Sequence, residues 1–241
     1  MAKVLQLWRD NRSIIVFLSL MFVFRSAVAD WNDVPTGSMQ PTIAIGDRIL
    51  VNKMAYDLRL PFTTTSLIKR ADPERGDIVI FASKAADNRL VKRVVGVPGD
   101  IVAMHHNVLT INGEQLAYRE YQPAAHSTAD AATELADGSL LLTEQLGNVA
   151  HTVKLAPVNS GHNSFNAVKV PAGHYLVLGD NRDNSSDSRV AAELGGLGGP
   201  VSWDRIGGRA EIITFSVDGS TGLTPASWFS ALRGDRAGDS L

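Results

Sequence analysis

Short apolar runs rich in β-branched residues recur along this chain, and each is bounded by turn residues. They cover residues 47–51, 76–81, 89–97, 108–111, 168–170, 174–178 and 206–217. Runs of this length are typical of buried β-strands, and Asn112-Gly113 after the fourth run is a strong hairpin signal. The sequence therefore predicts that much of the chain folds as strands joined by turns.

Composition excludes several classes of protein. With 241 residues, of which 44% are hydrophobic and 20% charged, the chain can bury a sizeable core and is not a disordered protein. A net charge of −2 gives no global basic field of the kind that binds nucleic acid. There is no cysteine and the histidines form no His-Glu-x-x-His motif, so we expect no disulfide scaffold, no metal site and no other cofactor.

One strongly apolar segment lies near the N-terminus. It covers residues 14–24, with Ser19 as its only polar residue, and it follows a basic stretch at residues 1–12. Positive charge before an apolar run predicts that the N-terminus stays in the cytoplasm and that the following chain is exported.

The fate of this segment has two interpretations. The apolar run is too short for a typical bilayer-spanning helix, and Ala27-Val28-Ala29 fits the Ala-x-Ala pattern of a signal-peptide cleavage site. The segment can therefore be a removable signal peptide. Alternatively, residues 13–29 form an anchor in which Arg25 extends toward the headgroups and Trp31 lies at the interface. The segment taken alone favours removal.

A serine stands in a conformationally restricted stretch directly after this segment. Pro35 and Pro41 restrict φ on either side of Ser38, and Gly37 permits a sharp turn or a close approach of another segment. The stretch is compatible with an ordinary turn, or with a serine nucleophile if a base lies nearby in the fold.

Lys92 is the candidate base. In the strand predicted at 89–97 it shares one face with Leu90 and Val94, so apolar side chains flank it. Desolvation worth about 3 kcal/mol lowers a lysine pKa by about two units, which lets the amine accept a proton near neutral pH. Alternatively, Lys92 and Arg93 protect an edge strand against aggregation.

A dense polar run follows the strand predicted at 174–178. It covers residues 179–189, and its closely spaced opposite charges favour a network that braces another element over a solvated turn. A calcium loop is disfavoured because Arg182 stands where a ligand is needed. Residues 117–166 instead show weak periodicity and predict a surface insertion of loops and short strands without chemistry.

Four sequence blocks resemble the bacterial type I signal (leader) peptidase family, in the family's order. They are PTGSMQPTI at 35–43, GDIVI at 76–80, VKRVVGVPGD at 91–100 and GDNRDNSSDSR at 179–189. The resemblance covers residues 30–112 and 168–217, and 117–166 matches only as a variable insertion. It implies a mainly β catalytic domain of antiparallel strands at residues 30–241, on one N-terminal transmembrane helix.

The resemblance also implies a role for each matched residue. Ser38 would be the nucleophile and Lys92 the general base, and the Ser38 N–H and the Thr36 hydroxyl would form the oxyanion hole. Ser185 would hydrogen-bond and orient Lys92. The bracing ion pairs would be Asp187 with Arg189 and Asp180 with Arg93. Pockets for small substrate residues would be lined by residues that could equally be plain core: Val34, Met39, Ile80 and Val91.

The implied activity is removal of signal peptides from exported preproteins by cleavage after small residues. Such substrates are cut at the membrane surface, so tethering the enzyme there raises its effective concentration. The resemblance therefore favours an anchor at 13–29 over a removable signal peptide. The expected protein is a monomer in the bacterial cytoplasmic membrane, crossing once with its catalytic domain outside, and its partners are preproteins and the lipid bilayer. Two rivals are a self-cleaving repressor, which would need a DNA-binding domain, and an anchored binding domain without catalysis.

Overall fold

The described part of the chain is mainly β. The computed structural model describes residues 2–83, 88–121, 137–157, 161–218 and 231–241. These residues form one α-helix, α1 at Ala2–Ala27, together with strands and short 3-10 turns. The strands are β1 Ala29–Asp33, β2 Asp47–Asn52, β3 Asp57–Arg59, β4 Ser66–Lys69, β5 Ile78–Ser83, β6 Asn88–Gly96, β7 Ile101–His105, β8 Val108–Ile111, β9 Glu114–Gln115, β10 Ala117–Glu120, β11 Leu140–Leu146, β12 Val149–Leu155, β13 Phe165–Lys169, β14 His174–Leu178, β15 Val201–Ser202 and β16 Ile206–Ser216. The mainly β fold expected from the sequence is confirmed.

Helix α1 precedes the strands and leaves large apolar side chains exposed. Its most exposed apolar residues, at 60–64%, are Ile14, Phe17, Leu20 and Phe22. Lys53 Nζ donates to the carbonyl oxygens of Arg25 and Ser26 at 3.0 and 3.2 Å, which places a cation at the negative end of the helix. Within the described residues, no helix combines the length and the apolar character needed to cross a membrane.

A seven-stranded antiparallel sheet carries the predicted site. Its strand order is β1-β2-β16-β5-β6-β14-β15, so β6 lies between β5 and β14. The alternative interpretation of residues 89–97 as an edge strand is therefore wrong. Lys92 and Arg93 are 2% and 3% exposed, and buried cations on an internal strand need partners from neighbouring segments.

One apolar cluster packs the loop between β1 and β2 onto this sheet. It joins loop residues to strand residues, namely Val34, Met39, Ile43, Ile49, Val51, Ile78, Ile80, Ala210 and Ile213. Burial of apolar surface stabilises by about 25 cal/mol per Å². The position of the loop is thus set by core packing as well as by hydrogen bonds.

The segment at 117–166 differs from the expected surface loops and short strands. Residues 122–136 and 158–160 lie outside the described residues. The described part contains β10, β11 and β12, which form a three-stranded sheet, and β11 and β12 are seven residues long and bury Leu141, Leu146 and Val153. Their inward-facing residues also include Glu144 and His151. These polar residues interrupt the apolar alternation, which is why the sequence pattern does not show the strands.

Candidate active site

Ser38 lies in a single 3-10 turn at Gly37–Met39, on the loop between β1 and β2. Thr36 precedes the turn with extended backbone, and the Gln40 N–H closes it on the Gly37 carbonyl at 3.1 Å. This turn agrees with the sequence, because the flanking prolines restrict the backbone and Gly37 permits it to turn sharply.

Fully buried Asp47 fixes the far end of the serine loop. Its carboxylate accepts hydrogen bonds from the Ala44 N–H at 2.8 Å, the Ser216 hydroxyl at 2.6 Å and Arg236 Nη2 at 2.8 Å. Arg236 also donates to the Thr42 carbonyl at 3.0 Å. Charge-assisted hydrogen bonds of this kind are stronger than neutral ones, so the loop is held firmly.

Lys92 on β6 contacts the serine. Its Nζ lies 2.6 Å from Ser38 Oγ and donates to the Val91 carbonyl at 3.0 Å. Burial lowers the pKa of Lys92 to about 8, although the carboxylates of Asp187 and Asp180 act to raise it. Near neutral pH a useful fraction of the amine is therefore uncharged. An uncharged amine at this distance can accept the proton of the serine hydroxyl.

The loop at 179–189 supplies the carboxylates that face Lys92. Asp187 forms an ion pair with Arg189, with 2.7 Å between Oδ2 and Nη2, and accepts the Gly179 N–H at 2.9 Å. Burial alone would raise the pKa of Asp187, but the hydrogen bonds and charge of Arg189 outweigh burial and lower it. Arg189 also donates to the Arg182 carbonyl at 2.6 Å, which closes the loop on itself.

A second buried ion pair joins this loop to the strand of Lys92. Arg93 Nε and Nη2 donate to the two oxygens of Asp180 at 2.9 and 2.7 Å. The Thr42 hydroxyl donates to the same carboxylate at 2.5 Å. Burial alone would raise the pKa of Asp180, but Arg93 and the other donors lower it. One carboxylate thus links β6 to the serine loop.

The hydrogen bond predicted between Ser185 and Lys92 is not formed in this structure. Ser185 is buried, and its hydroxyl makes no hydrogen bond with the described residues. It nevertheless borders the serine turn, because a Cβ added at Gly179 would meet both Ser185 Oγ and the Ser38 carbonyl. The role of Ser185 in orienting Lys92 stays a prediction.

The four predicted pocket residues lie together. Val34, Met39 and Ile80 belong to one apolar cluster, and Val91 packs against it. The three cluster members are at most 6% exposed, so they are core residues as well as an apolar wall beside the serine turn. Thr36 is exposed, and its side chain makes no capping hydrogen bond to the turn.

Asn181 also contacts the serine turn and was not among the predicted site residues. Its N–H donates to the Ser38 carbonyl at 3.1 Å, and its Nδ2 donates to the Gly37 carbonyl at 2.9 Å. Holding both carbonyls fixes the peptide planes of the turn. Its place directly after Asp180 in the polar run is the signal that could have identified it.

Gly179→Ala is expected to lower kcat by about 10- to 100-fold, because a misplacement of about 1 Å is enough for such a loss. The new Cβ would overlap the Ser38 carbonyl, so the serine turn would have to shift relative to Lys92. Gly234→Ala is the control, because a Cβ there meets no atom of the described residues within 4 Å. Steady-state kinetics and melting temperatures of both variants test this, and a wild-type kcat for Gly179→Ala would contradict it.

A serine hydroxyl in contact with a desolvated lysine amine is the arrangement of serine hydrolases that use lysine as their base. The sequence model of one family, described as "Signal peptidase, peptidase S26", matches residues 7–215 of the chain. The chain belongs to this signal peptidase family.

The chain is also similar in sequence to individual members of this family. Signal peptidase I of Pseudomonas fluorescens is 38% identical over 181 residues, which are 74% of this chain and 61% of that protein. Signal peptidase I of Rickettsia bellii (strain OSU 85-389) is 33% identical over 224 residues, 86% of this chain and 73% of that protein. A crystal structure of a signal peptidase I from Enterococcus faecalis V583 matches at a TM-score of 0.34 and 26% identity, covering 58% of this chain and 97% of that one. The chain spans less than two thirds of the length of the Pseudomonas relative.

Proposed function

We propose that this chain is a membrane-bound serine endopeptidase that removes N-terminal signal peptides from exported preproteins. The observation that carries the proposal is the 2.6 Å contact between Ser38 Oγ and Nζ of the buried Lys92. Membership of the signal peptidase family, and similarity to proteins named signal peptidase I, support the substrate class.

The reaction is an acyl transfer in two steps. Uncharged Lys92 accepts the Ser38 hydroxyl proton as Oγ attacks the scissile carbonyl carbon, and the resulting ammonium protonates the leaving amine as the C–N bond breaks. The acyl group is then an ester on Ser38. In the second step Lys92 accepts a proton from water as its oxygen attacks the ester carbon, and the ammonium returns the proton to Ser38 Oγ as the bond between Oγ and the acyl carbon breaks.

The oxyanion of each tetrahedral intermediate forms beside the serine turn. The Ser38 N–H and the Thr36 hydroxyl are the proposed donors, and one such donor is worth roughly 3–4 kcal/mol in a comparable hydrolase. The two hydrogen bonds from Asn181 support this assignment, because they hold the peptide planes on both sides of Ser38, one of which contains the Ser38 N–H.

Burial keeps Lys92 a usable base, and the ion pair of Asp187 with Arg189 assists it. Asp187 and Asp180 both act to raise the pKa of Lys92, which would leave the amine charged. Arg189 pairs with Asp187 at 2.7 Å and itself acts to lower the pKa of Lys92. Arg93 pairs with Asp180 at 2.7 Å and braces the loop against β6.

The proposed cleavage after small residues, as in Ala-x-Ala, is supported by the apolar wall beside Ser38. Val34, Met39 and Ile80 are packed into the core, so a substrate side chain that enters between them must be small. Val91 precedes Lys92 and completes the wall on the strand side.

The proposed setting is the extracytoplasmic face of the bacterial cytoplasmic membrane, with residues 13–29 as a single anchor and the protein a monomer. The exposed apolar residues of α1 and the 41% exposed Trp31, which lies on β1 four residues after the helix, support an association with lipid. N-terminal sequencing of the membrane-extracted protein tests the anchor. A mature chain that begins at Asp30, after Ala27-Val28-Ala29, would show removal instead.

The activity itself is tested by incubating the purified protein with a panel of preproteins and reading the new N-termini by mass spectrometry. Ser38→Ala serves as the matched blank. Cleavage after small residues by the parent protein and none by Ser38→Ala is expected. Binding of preproteins without cleavage would favour the anchored binding domain.

Cleavage is expected to rise with pH through about 8, because Lys92 must be uncharged to act as a base. With a pKa of about 8, only about 1% of the amine is uncharged at pH 6, so kcat/KM there should be about one hundredth of its plateau. Initial rates between pH 6 and 10, with circular dichroism at each pH to verify folding, measure this. A flat profile across this range would exclude Lys92 as the titrating base.

A further inference from the structure

A cluster of buried charges lies between the β11–β12 hairpin and the loop at 179–189. The hairpin residue Glu144 and the loop residue Arg182 form an ion pair at 2.8 Å, and their side chains are 0% and 1% exposed. The hairpin also contacts the loop through its backbone, because the Lys154 N–H donates to the Asp180 carbonyl at 2.9 Å. The segment expected to carry no chemistry therefore packs directly on the loop that faces Lys92.

Glu144 compensates the charge of Arg182. Burial alone would raise the pKa of Glu144, but the charge of Arg182 outweighs burial and holds it well below its usual range. The Tyr118 hydroxyl donates a further hydrogen bond to the same carboxylate. Arg182 Nη1, by contrast, makes no hydrogen bond with the described residues. The guanidinium thus depends on Glu144 for its charge partner.

This ion pair lies beside the pair of Asp180 and Arg93. His151 Nε2 is 3.3 Å from Glu144 Oε1 and 3.7 Å from Asp180 Oδ1, so one imidazole lies between the two carboxylates. Two carboxylates and two guanidinium groups therefore form one buried group of balanced charge. A guanidinium that lost its carboxylate here would be drawn to the other one, because an unpaired buried charge is costly.

Asp180 already accepts three side-chain hydrogen bonds of the roughly four that a carboxylate can accept, so a second guanidinium would compete with the present donors. Arg93 uses both of its oxygens, and the Thr42 hydroxyl shares one of them. Arg93 is adjacent to Lys92, and Thr42 lies on the loop of Ser38. A guanidinium that displaced either donor would release the link between the two elements of the proposed dyad.

We propose that Glu144 is a positioning residue for peptide cleavage: by pairing with Arg182 it keeps that guanidinium away from Asp180, which stays bound to Arg93 and Thr42. This inference rests on the proposed chemistry of Ser38 and Lys92. Glu144 touches neither of these residues and acts through Asp180.

Glu144→Gln tests the proposal, with Glu144→Gln/Arg182→Gln as its rescue. The single variant leaves the Arg182 charge unpaired, so kcat should fall by about 10- to 100-fold with KM within about twofold. The double variant removes both charges, which at a buried ion pair is often tolerated, and should recover kcat to within about fivefold of wild type. Glu211→Gln is the matched control, because it breaks an ion pair of Glu211 with Arg209 at 3.0 Å outside the core.

The pH profile separates positioning from a loss of stability. The Asp180 carboxylate raises the pKa of Lys92, and a guanidinium moving onto it would offset this effect. The rise of the cleavage rate with pH should therefore shift to lower pH in Glu144→Gln and return to its wild-type position in the double variant. Lower stability alone would reduce the amount of folded enzyme without shifting this rise. Melting temperatures and rates per folded molecule are measured for each variant.

Two results would overturn the proposal: a folded Glu144→Gln with wild-type kcat, or a folded double variant below one tenth of wild-type kcat. If Glu144→Gln does not fold, the double variant decides alone. Lys92→Met, assayed in parallel, distinguishes a failure of the proposed dyad from a failure of the proposed role of Glu144. An active Lys92→Met removes the proposed dyad, whereas an inactive Lys92→Met beside an unaffected Glu144→Gln removes only the role of Glu144.

Discussion

Lys92→Met is expected to abolish preprotein cleavage, lowering kcat by about 1,000-fold or more, because the serine loses its general base. Methionine has nearly the same length as lysine and no charge, so the variant should fold. Burial disfavours the ammonium in the folded state, since the folded pKa of about 8 is below the value of 10.5 in an exposed lysine. Lysine therefore costs about 3 kcal/mol of stability below pH 8, a cost that fades as pH rises toward 10.5.

Kinetics and thermal unfolding of Lys92→Met are measured together. At pH 7 the variant should be inactive and at least as stable as wild type, and the stability difference should shrink at high pH. Lys154→Met is the control, because Lys154 is another buried lysine, paired with Asp137 at 3.0 Å. Cleavage by Lys92→Met at a wild-type rate would refute the dyad.

Thr36→Val should lower kcat by about 100- to 1,000-fold while changing KM little, because an oxyanion donor acts mainly in the transition state. The substitution keeps the shape of the side chain and removes only the hydroxyl. Since Thr36 is exposed and does not cap the turn, the fold should be unaffected. Thr36→Ser should retain most of the activity because it keeps the hydroxyl.

Thr110→Val on β8 is the matched control for Thr36→Val. Valine is favoured in strands, so this variant should be fully active and no less stable. Single-turnover and steady-state rates of the three threonine variants decide the role of Thr36. An equal kcat in Thr36→Val and wild type would show that the Thr36 hydroxyl is not an oxyanion donor.

Local pattern was enough to predict several of the strands and the serine turn. The run at 89–97 became β6, and Asn112 and Gly113 adopt the positive φ values of 56° and 85° that the hairpin signal requires. These features depend on side-chain period and backbone preference, which are properties of neighbouring residues.

Contacts across the fold could not be read from local pattern. Whether β6 is an edge or an internal strand depends on β5 and β14, so Lys92 and Arg93 allowed both interpretations until the sheet order was known. The contact of Lys92 with Ser38 spans 54 positions, so residue chemistry made Lys92 a candidate base but no local pattern could place it against Ser38.

The hairpin at β11 and β12 was missed for a different reason. Glu144 and His151 occupy inward positions because Arg182 and Asp180 face them, and no local rule predicts a buried carboxylate whose partner is 38 residues away. Asn181 was likewise missed because its partners are backbone carbonyls, which leave no mark in the sequence of the serine turn.

The internal position of β6 gives the two proposed catalytic groups unequal mechanical support. Lys92 stands on a strand flanked by hydrogen-bonded ladders on both edges, whereas Ser38 stands on a loop held by core packing and individual hydrogen bonds without a ladder. On heating, the loop of Ser38 should therefore become mobile before the strand of Lys92 does, so the nucleophile would move relative to a fixed base. Heat inactivation would then begin as a local loosening of that loop, at temperatures where the sheet is still intact.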